Sequence, residues 1–234
     1  MNMKFRPSAF ASSSRASGLA LLLAVASLEG PLSYRASAFE SRFSVDPTQN
    51  LEQLGQSGEI HVNVQHPGAL YYADASAVLK GVDLAKLKSA SSDFADYATM
   101  GMPYLNECEM MGSDPAAPSD TLYIWNSMSA FGLVAKYYLQ VHLVTAVDAA
   151  GGSGNEWQLV PKLPEWQYDD NGLFSTNSGS WFMEPLPNGE VYVRYYLQGT
   201  ISSGIPDSII QHFVKLQFGD GATKVIQILR QAAN

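Results

Sequence analysis

The chain has 234 residues, 46% of them hydrophobic, with 14 basic and 22 acidic residues, a formal net charge of −8 at pH 7 and one cysteine, Cys108. An acidic balance of this size excludes a nucleic-acid partner or an anionic membrane surface held by charge, since both would be repelled. A lone thiol excludes an internal disulfide, so the fold must rest on its core, and a chain of this length can bury one large enough.

In chain order, Lys4, Arg6 and Arg15 precede an uncharged run over residues 16–28. That run is too short to cross a bilayer comfortably and suits the apolar region of a secretory signal. Small residues at Ala36 and Ala38 offer a cleavage site before Phe39, with Ala24 and Ala26 an alternative nearer the apolar run; residues 1–38 read as a signal peptide and the protein as exported, periplasmic or secreted. Removing them takes away four basic residues and one acidic residue, which leaves 10 and 21 and a charge of −11. No integral membrane segment is expected in the mature chain.

Residues 39–47 read as an unstructured lead-in, and 48–234 as one folded domain. Thr48 is expected to cap a short helix through Leu51 and Leu54 that Gly55 and Gly58 end. From Glu59 the period becomes two: Ile60, Val62 and Val64 alternate with His61, Asn63 and Gln65, a half-buried strand stopped by Pro67-Gly68. A second strand, Leu70 to Leu79, returns antiparallel. Asp83 can cap a helix with Leu84, Leu87, Ser91 and Phe94 on one side, ending near Tyr97.

After Met102-Pro103, a strand is expected around Glu107 to Met111, then a loop over 114–119. Two longer strands follow, Thr121 to Met128 and Ala135 to Val147, joined by Ser129-Ala130-Phe131-Gly132. Gly151-Gly152-Ser153-Gly154 reads as a hairpin tip before Glu156 to Val160. Asp169-Asp170-Asn171-Gly172 is an acidic turn near the strand that ends at Phe182. Asn188-Gly189 predicts a type I′ hairpin into the strand Val191 to Tyr196, because both residues accept positive φ. Pro206 opens a helix whose Ile209, Ile210, Phe213, Val214 and Leu216 make one apolar face. It can bend at Gly219-Asp220-Gly221 and resumes through Val225, Ile226, Ile228 and Leu229. The fold class is therefore α+β: a curved antiparallel sheet whose concave side is the one surface large enough to bury a long C-terminal helix.

The residues that carry chemistry elsewhere are sparse here. His61, His66, His142 and His212 have no metal-ligand spacing, and the acidic turn lacks the spacing of a calcium loop, so no metal site or cofactor is expected. There is no nucleophile elbow and no phosphate-cradling Gly-rich loop, so no catalytic residue is assigned. Cys108 stands between Glu107 and Glu109, whose charges weaken a thiolate, and reads as a packed residue. What remains is aromatic and aliphatic surface, which makes either an ordinary solid core or the wall of a cavity. For the cavity, the candidate ligand-binding residues are Tyr195, Trp125, Asn126, Tyr137 and His142 on the strands, with Ile210 and Phe213 on the helix. Val191, Val193, Tyr195 and Leu197 share the apolar face of their strand, which sends Arg194 outward and favours Tyr195 over it.

The order of elements resembles the START-like (SRPBCC) superfamily of helix-grip proteins, which includes polyketide cyclase/dehydrase-type and coenzyme-Q-binding START proteins. The resemblance spans about residues 51–234. It is carried by Leu54 with Gly58-Glu59-Ile60, Met102-Pro103, Gly179-Ser180-Trp181 with Glu184-Pro185, the strand Tyr192 to Tyr196, Gly204-Ile205-Pro206, and Leu229-Arg230-Gln231-Ala232. Relatives often carry a proline-rich turn and Arg-Asp where this chain has Ser129-Ala130-Phe131-Gly132 and Lys136-Tyr137. The resemblance implies a partner that is a hydrophobic small molecule or lipid, sterol, quinone or polyketide-like ring. It also allows, as the second reading, a cyclase, dehydratase or lyase using His142, Tyr195, Glu107 or Asp170, and a third reading is a ligandless envelope protein that binds a partner.

Overall fold

The computed structural model describes residues 43–46, 48–66, 70–112, 118–130, 132–145, 147, 151–202, 205–214 and 220–234, without the side chains of 207, 213 and 214. The signal-like segment and the loop at 114–117 lie outside the described residues. Eight strands form one antiparallel sheet in the order β1-β2-β8-β7-β6-β5-β4-β3. They are β1 (His61–Gln65), β2 (Leu70–Leu79), β3 (Leu105–Met111), β4 (Thr121–Ala130), β5 (Leu133–Val144), β6 (Ser153–Val160), β7 (Phe174–Pro185) and β8 (Val191–Ile201). Every neighbour from β3 to β8 is the next strand in sequence. The one long-range closure is β2 on β8, from Leu70 opposite Thr200 to Leu79 opposite Val191.

The helices are α1 (Leu51–Ser57), α2 (Leu84–Ser92), α3 (Asp207–Val214) and α4 (Gly221–Ala232), with a 3-10 turn at Phe94–Asp96. Asn50, not Thr48, caps α1: its side chain accepts the Gln53 N–H at 3.1 Å, while Thr48 turns back to Asp46. Gly55 sits inside that helix, and Gly58 alone ends it, at φ 64°. Asp83 caps α2 by accepting the N–H groups of Ala85 and Lys86. The Asn188-Gly189 hairpin is not type I′. Leu186 and Glu190 close it with three residues between, and only Gly189 takes positive φ, the geometry of a turn followed by a left-handed residue. The Asn188 side chain instead accepts the Glu190 N–H at 3.2 Å, which an Asx-type turn explains. Ser153 and Gly154 belong to β6 rather than to a loop tip.

One face of the sheet carries α2, the 3-10 turn and α4. There Ala75, Ala77, Trp181, Met183 and Val193 meet Leu87, Ala222, Ile226 and Leu229. The chain end is tied to the start of α2, since the Asp83 N–H donates to the Ala233 carbonyl at 3.1 Å. The opposite face has two covers. Of the lead-in, residues 43–46 are described; they form no helix or strand yet are pinned by Phe43, buried with Leu54, Val78, Phe182 and Tyr192. The segment 161–172 lays Trp166 on Tyr138 and Tyr168 on Trp125, with ring centroids 4.6 and 4.3 Å apart.

Candidate functional site

Strand alternation aims Ile124, Asn126 and Met128 of β4 and Tyr137, Leu139 and Val141 of β5 at the helix-covered face. Between them and the far wall is a cavity. The space open to the centre of a water molecule is about 130 Å³, and the whole void, counted with the solvent at its mouth, is about 870 Å³. Its accessible lining is mostly apolar.

The far wall is aromatic. Gly179 faces Trp157 across β6 and β7, and a Cβ there would come within 2.2 Å of the indole, so only glycine lets Trp157 lie flat across the sheet. Trp157 then meets Tyr195 at 5.8 Å between centroids, and Tyr195 meets Trp181 at 4.6 Å. The Trp157 indole N–H donates to Asn177 Oδ1 at 3.3 Å. The roof is Phe94 and Tyr97, whose rings are 5.0 Å apart, with Gly221 and Val225 from the first turns of α4. Tyr97 is held in place because its hydroxyl donates to the Ser91 carbonyl. Met102, Pro103 and Leu105 edge the cavity, and Tyr104 among them has φ 63°, a backbone conformation that costs a non-glycine residue free energy.

The polar groups inside are phenols and amides. Burial raises the Tyr195 phenol, and burial with the neighbouring Tyr195 and Cys108 raises Tyr137, while a hydrogen bond from Asn126 partly offsets this. Tyr97 is likewise raised, chiefly by burial. Tyr195 still has accessible surface, and that surface faces the cavity. Tyr137 donates its O–H to the Met128 sulfur. Asn126 is 6% exposed, and no donor among the described residues reaches its Oδ1. Cys108, opposite Asn126 on β3, is pushed up to about 12 by burial and then by Glu109.

Of the residues expected at the site, Tyr195, Asn126 and Tyr137 line the cavity together. Trp125 does not. It follows Ile124 on β4 and so points to the other face, where its indole N–H donates to the Asp169 carbonyl at 2.8 Å. His142 also lies on that face, one residue after Val141, with Nε2 2.9 Å from Asp120 and Nδ1 3.7 Å from Glu156. Ile210 packs on the inner-face core without being among the described lining residues, and the Phe213 side chain lies outside the described residues. Arg194 turns outward and pairs with Asp74 at 2.9 and 2.6 Å. Trp157, Asn177 and Tyr97 were not foreseen. Trp157 was within reach, since Asn155, Trp157 and Leu159 alternate with Glu156 and Gln158. Asn177 was not, because Ser175-Thr176-Asn177-Ser178 is polar on both faces.

The acidic turn resolves as structural. Asn171 of the acidic turn accepts the Lys136 N–H at 3.1 Å and donates to the Val134 carbonyl, and Asp170 accepts the Gly172 N–H. Among the described residues, no group of three or more His, Cys, Asp or Glu is placed to hold a metal ion. No helix among them is long and apolar enough to cross a membrane.

No protein-family model matches the chain, and no curated protein matches it. Solved structures do. A STAR-related lipid transfer protein fragment from Xanthomonas axonopodis is 19% identical, covering 74% of this chain and 92% of that one at a TM-score of 0.55. Human StAR-related lipid transfer protein 5 is 11% identical, covering 87% and 97% at 0.59. The lipid transfer and protein localization domain of human StarD13 is 10% identical, covering 88% and 98% at 0.52. At these identities the likeness is one of fold. The chain has the START-like helix-grip fold, an antiparallel sheet closed by a C-terminal helical segment.

Proposed function

We propose that this START-like protein binds and carries a hydrophobic small molecule, lipid, sterol, quinone or polyketide-like, in the cavity between sheet and α4. The observation that carries the reading is the mostly apolar space, open to solvent at its mouth, walled by Trp157, Trp181, Tyr195 and Leu139 and edged by a few amides and phenols. Such a site gains affinity from apolar burial at roughly 25 cal/mol per Å² and uses its polar groups for orientation. That all three structures named above carry lipid transfer in their names supports the same reading.

A cyclase or lyase needs an acid or base at the ligand. Of the four residues considered for that role, Tyr195 alone faces the cavity, and its raised phenol is a poor base at neutral pH. The described lining contains no carboxylate, imidazole or ammonium group. Binding without chemistry is the better use of such a wall. Export belongs to the proposal as well, supported by the basic start and apolar run of residues 1–28. N-terminal sequencing of the mature protein is expected to begin near Phe39.

Two cavity indoles make the central test direct. Native mass spectrometry of protein purified from its own compartment is expected to show a bound apolar molecule. Stripped protein is expected to take up an apolar fluorophore with saturable quenching of Trp157 and Trp181. Protein that arrives empty and quenches only in proportion to added probe would overturn the reading.

A further inference from the structure

We propose that Trp157, laid down over Gly179, makes the cavity selective for a small, flat aromatic molecule over a puckered ring or a flexible chain. The inference rests on the binding role just argued, and it names the ligand class and the residue that sets it. Strand side chains ordinarily stand upright on their sheet. An upright Trp157 would reach into the space under Phe94 and Tyr97. Instead its indole covers Gly179: a Cβ there would lie 2.2 Å from Cζ2 and 2.6 Å from Cε2. One face of the ring is thus against the β7 backbone, and the other is turned to the cavity that Trp157 lines.

Two further contacts hold the indole down. Its N–H donates to Asn177 Oδ1 at 3.3 Å, which fixes how the ring is turned. The bare strand beneath it is fixed as well. The same Cβ would come 2.4 Å from the Tyr196 carbonyl oxygen, so a larger residue cannot replace Gly179 by moving the indole alone. Tyr195 extends the floor, 5.8 Å from Trp157 between centroids and inclined to it by 31°. Trp157 and Tyr195 are half-buried on a covered face, whereas Trp181, packed on Tyr195, is 2% exposed. The ring surface left for a ligand on this wall therefore belongs chiefly to Trp157 and Tyr195.

Such a floor ranks ligands by shape. A flat ring system laid on it gains an aromatic contact beyond the burial of its area. A puckered saturated ring of the same size has no such contact to make. A chain lacks it too and must give up internal rotations to lie there. The space of about 130 Å³ is of the order that accommodates a single aromatic ring in other apolar cavities, and its mouth allows somewhat more.

Naphthalene, decalin and decane test this, since they have the same number of carbons and are respectively flat and aromatic, puckered, and a flexible chain. Headspace chromatography over the stripped mature protein gives each binding constant. Dividing by the molecule's own partition into hexadecane removes simple apolar burial. On that scale naphthalene is expected about tenfold ahead of decalin, the worth of one favourable ring contact, with decane last. In Trp157→Leu the lead is expected to vanish while decalin still binds, and Trp157→Phe, which keeps a ring, is expected to hold part of it. The wild-type ranking decides alone should neither variant fold. Equal constants on that scale, or decalin or decane ahead, overturn the selectivity and leave the apolar-binding role standing. A lead that survives in Trp157→Leu, or that is lost equally in Trp157→Phe, overturns the assignment to the Trp157 ring. If none of the three shows saturable uptake, this inference and the binding role fall together.

Discussion

The two ends of the covered face belong to one continuous sheet, yet one is solid and the other is hollow. At the solid end β2 and β8 present Ala75, Ala77 and Val193, and Ala222, Ile226 and Leu229 of α4 sit directly on them. At the hollow end β4 to β6 present Ile124, Tyr137 and Trp157 below Phe94 and Tyr97. The distance at which a covering element packs is set by the side chains at the contact. Alanines and valine let α4 settle. Rings stand off the sheet, and where they line a perimeter without filling its centre, the space left over is the cavity.

Truncations measure that difference most strongly. Leu229→Ala removes a side chain that is 1% exposed and opens a void where none existed, at an expected cost of about 2–5 kcal/mol. Leu139→Ala is expected to cost about 1–2 kcal/mol, because one side of Leu139 already faces the cavity and fewer contacts are lost. Urea unfolding midpoints with unchanged slopes check both. Equal costs would mean that the two ends are packed alike.

Alkali separates them next. The buried phenols that face the space, Tyr97, Tyr137 and Tyr195, all have ionisation pushed above the ordinary value of 10.0. Below pH 10 the phenols are protonated in both the folded and the unfolded chain, and stability does not depend on them. Above it the unfolded chain loses these protons first, so stability falls as pH rises towards the folded-state values, by about 1.4 kcal/mol per pH unit for each phenol. Stability measured between pH 9 and 11 is expected to drop steeply, and Tyr195→Phe is expected to lower that slope by about one proton. Phenolate absorbance of all tyrosines appearing before any unfolding would show that the hollow end is open to hydroxide.

How far the sequence could be read depends on whether a strand has a wet side. β8 has one: Arg194 and Gln198 alternate with Val193, Tyr195 and Leu197, and the side facing α4 follows directly. Tyr195 is accordingly in the cavity wall and Arg194 on Asp74. β4 has none. Trp125 and Asn126 are adjacent and must face opposite ways, but Trp125 is buried too, under Tyr168, so both faces read as interior. No period of two survives when a loop such as 161–172 covers the outer face. His142 was open to the same parity test, since Tyr137, Leu139 and Val141 already claim the inner side of β5. The cavity itself was not legible, because a lined void and a filled core draw on the same residue types and differ only in how far apart the rings are held. Asn50 as cap and the three-residue loop at Asn188 show the other limit. Thr48 and Asn50 are both good caps, and Asn-Gly suits more than one turn, so local chemistry left the choice to the packing of the segments on either side.

The smallest expected effect comes from enlarging side chains instead of truncating them. Enlarging a side chain in a filled core forces rotamer and backbone shifts, so Ala222→Leu, at 0% exposure on the buried face of α4, is expected to cost about 1–3 kcal/mol. Ile124→Phe adds comparable bulk on the cavity wall, where the ring can turn into free space. Its net effect on stability is expected within about 1 kcal/mol of zero, since new contacts offset any local strain. The same substitution should exclude an apolar probe and weaken its uptake at least about tenfold, the loss of little more than one buried contact group. Thermal melts alongside probe titration read both quantities on one preparation. A large destabilisation with unchanged uptake would place the filled and the empty halves of this face the other way round.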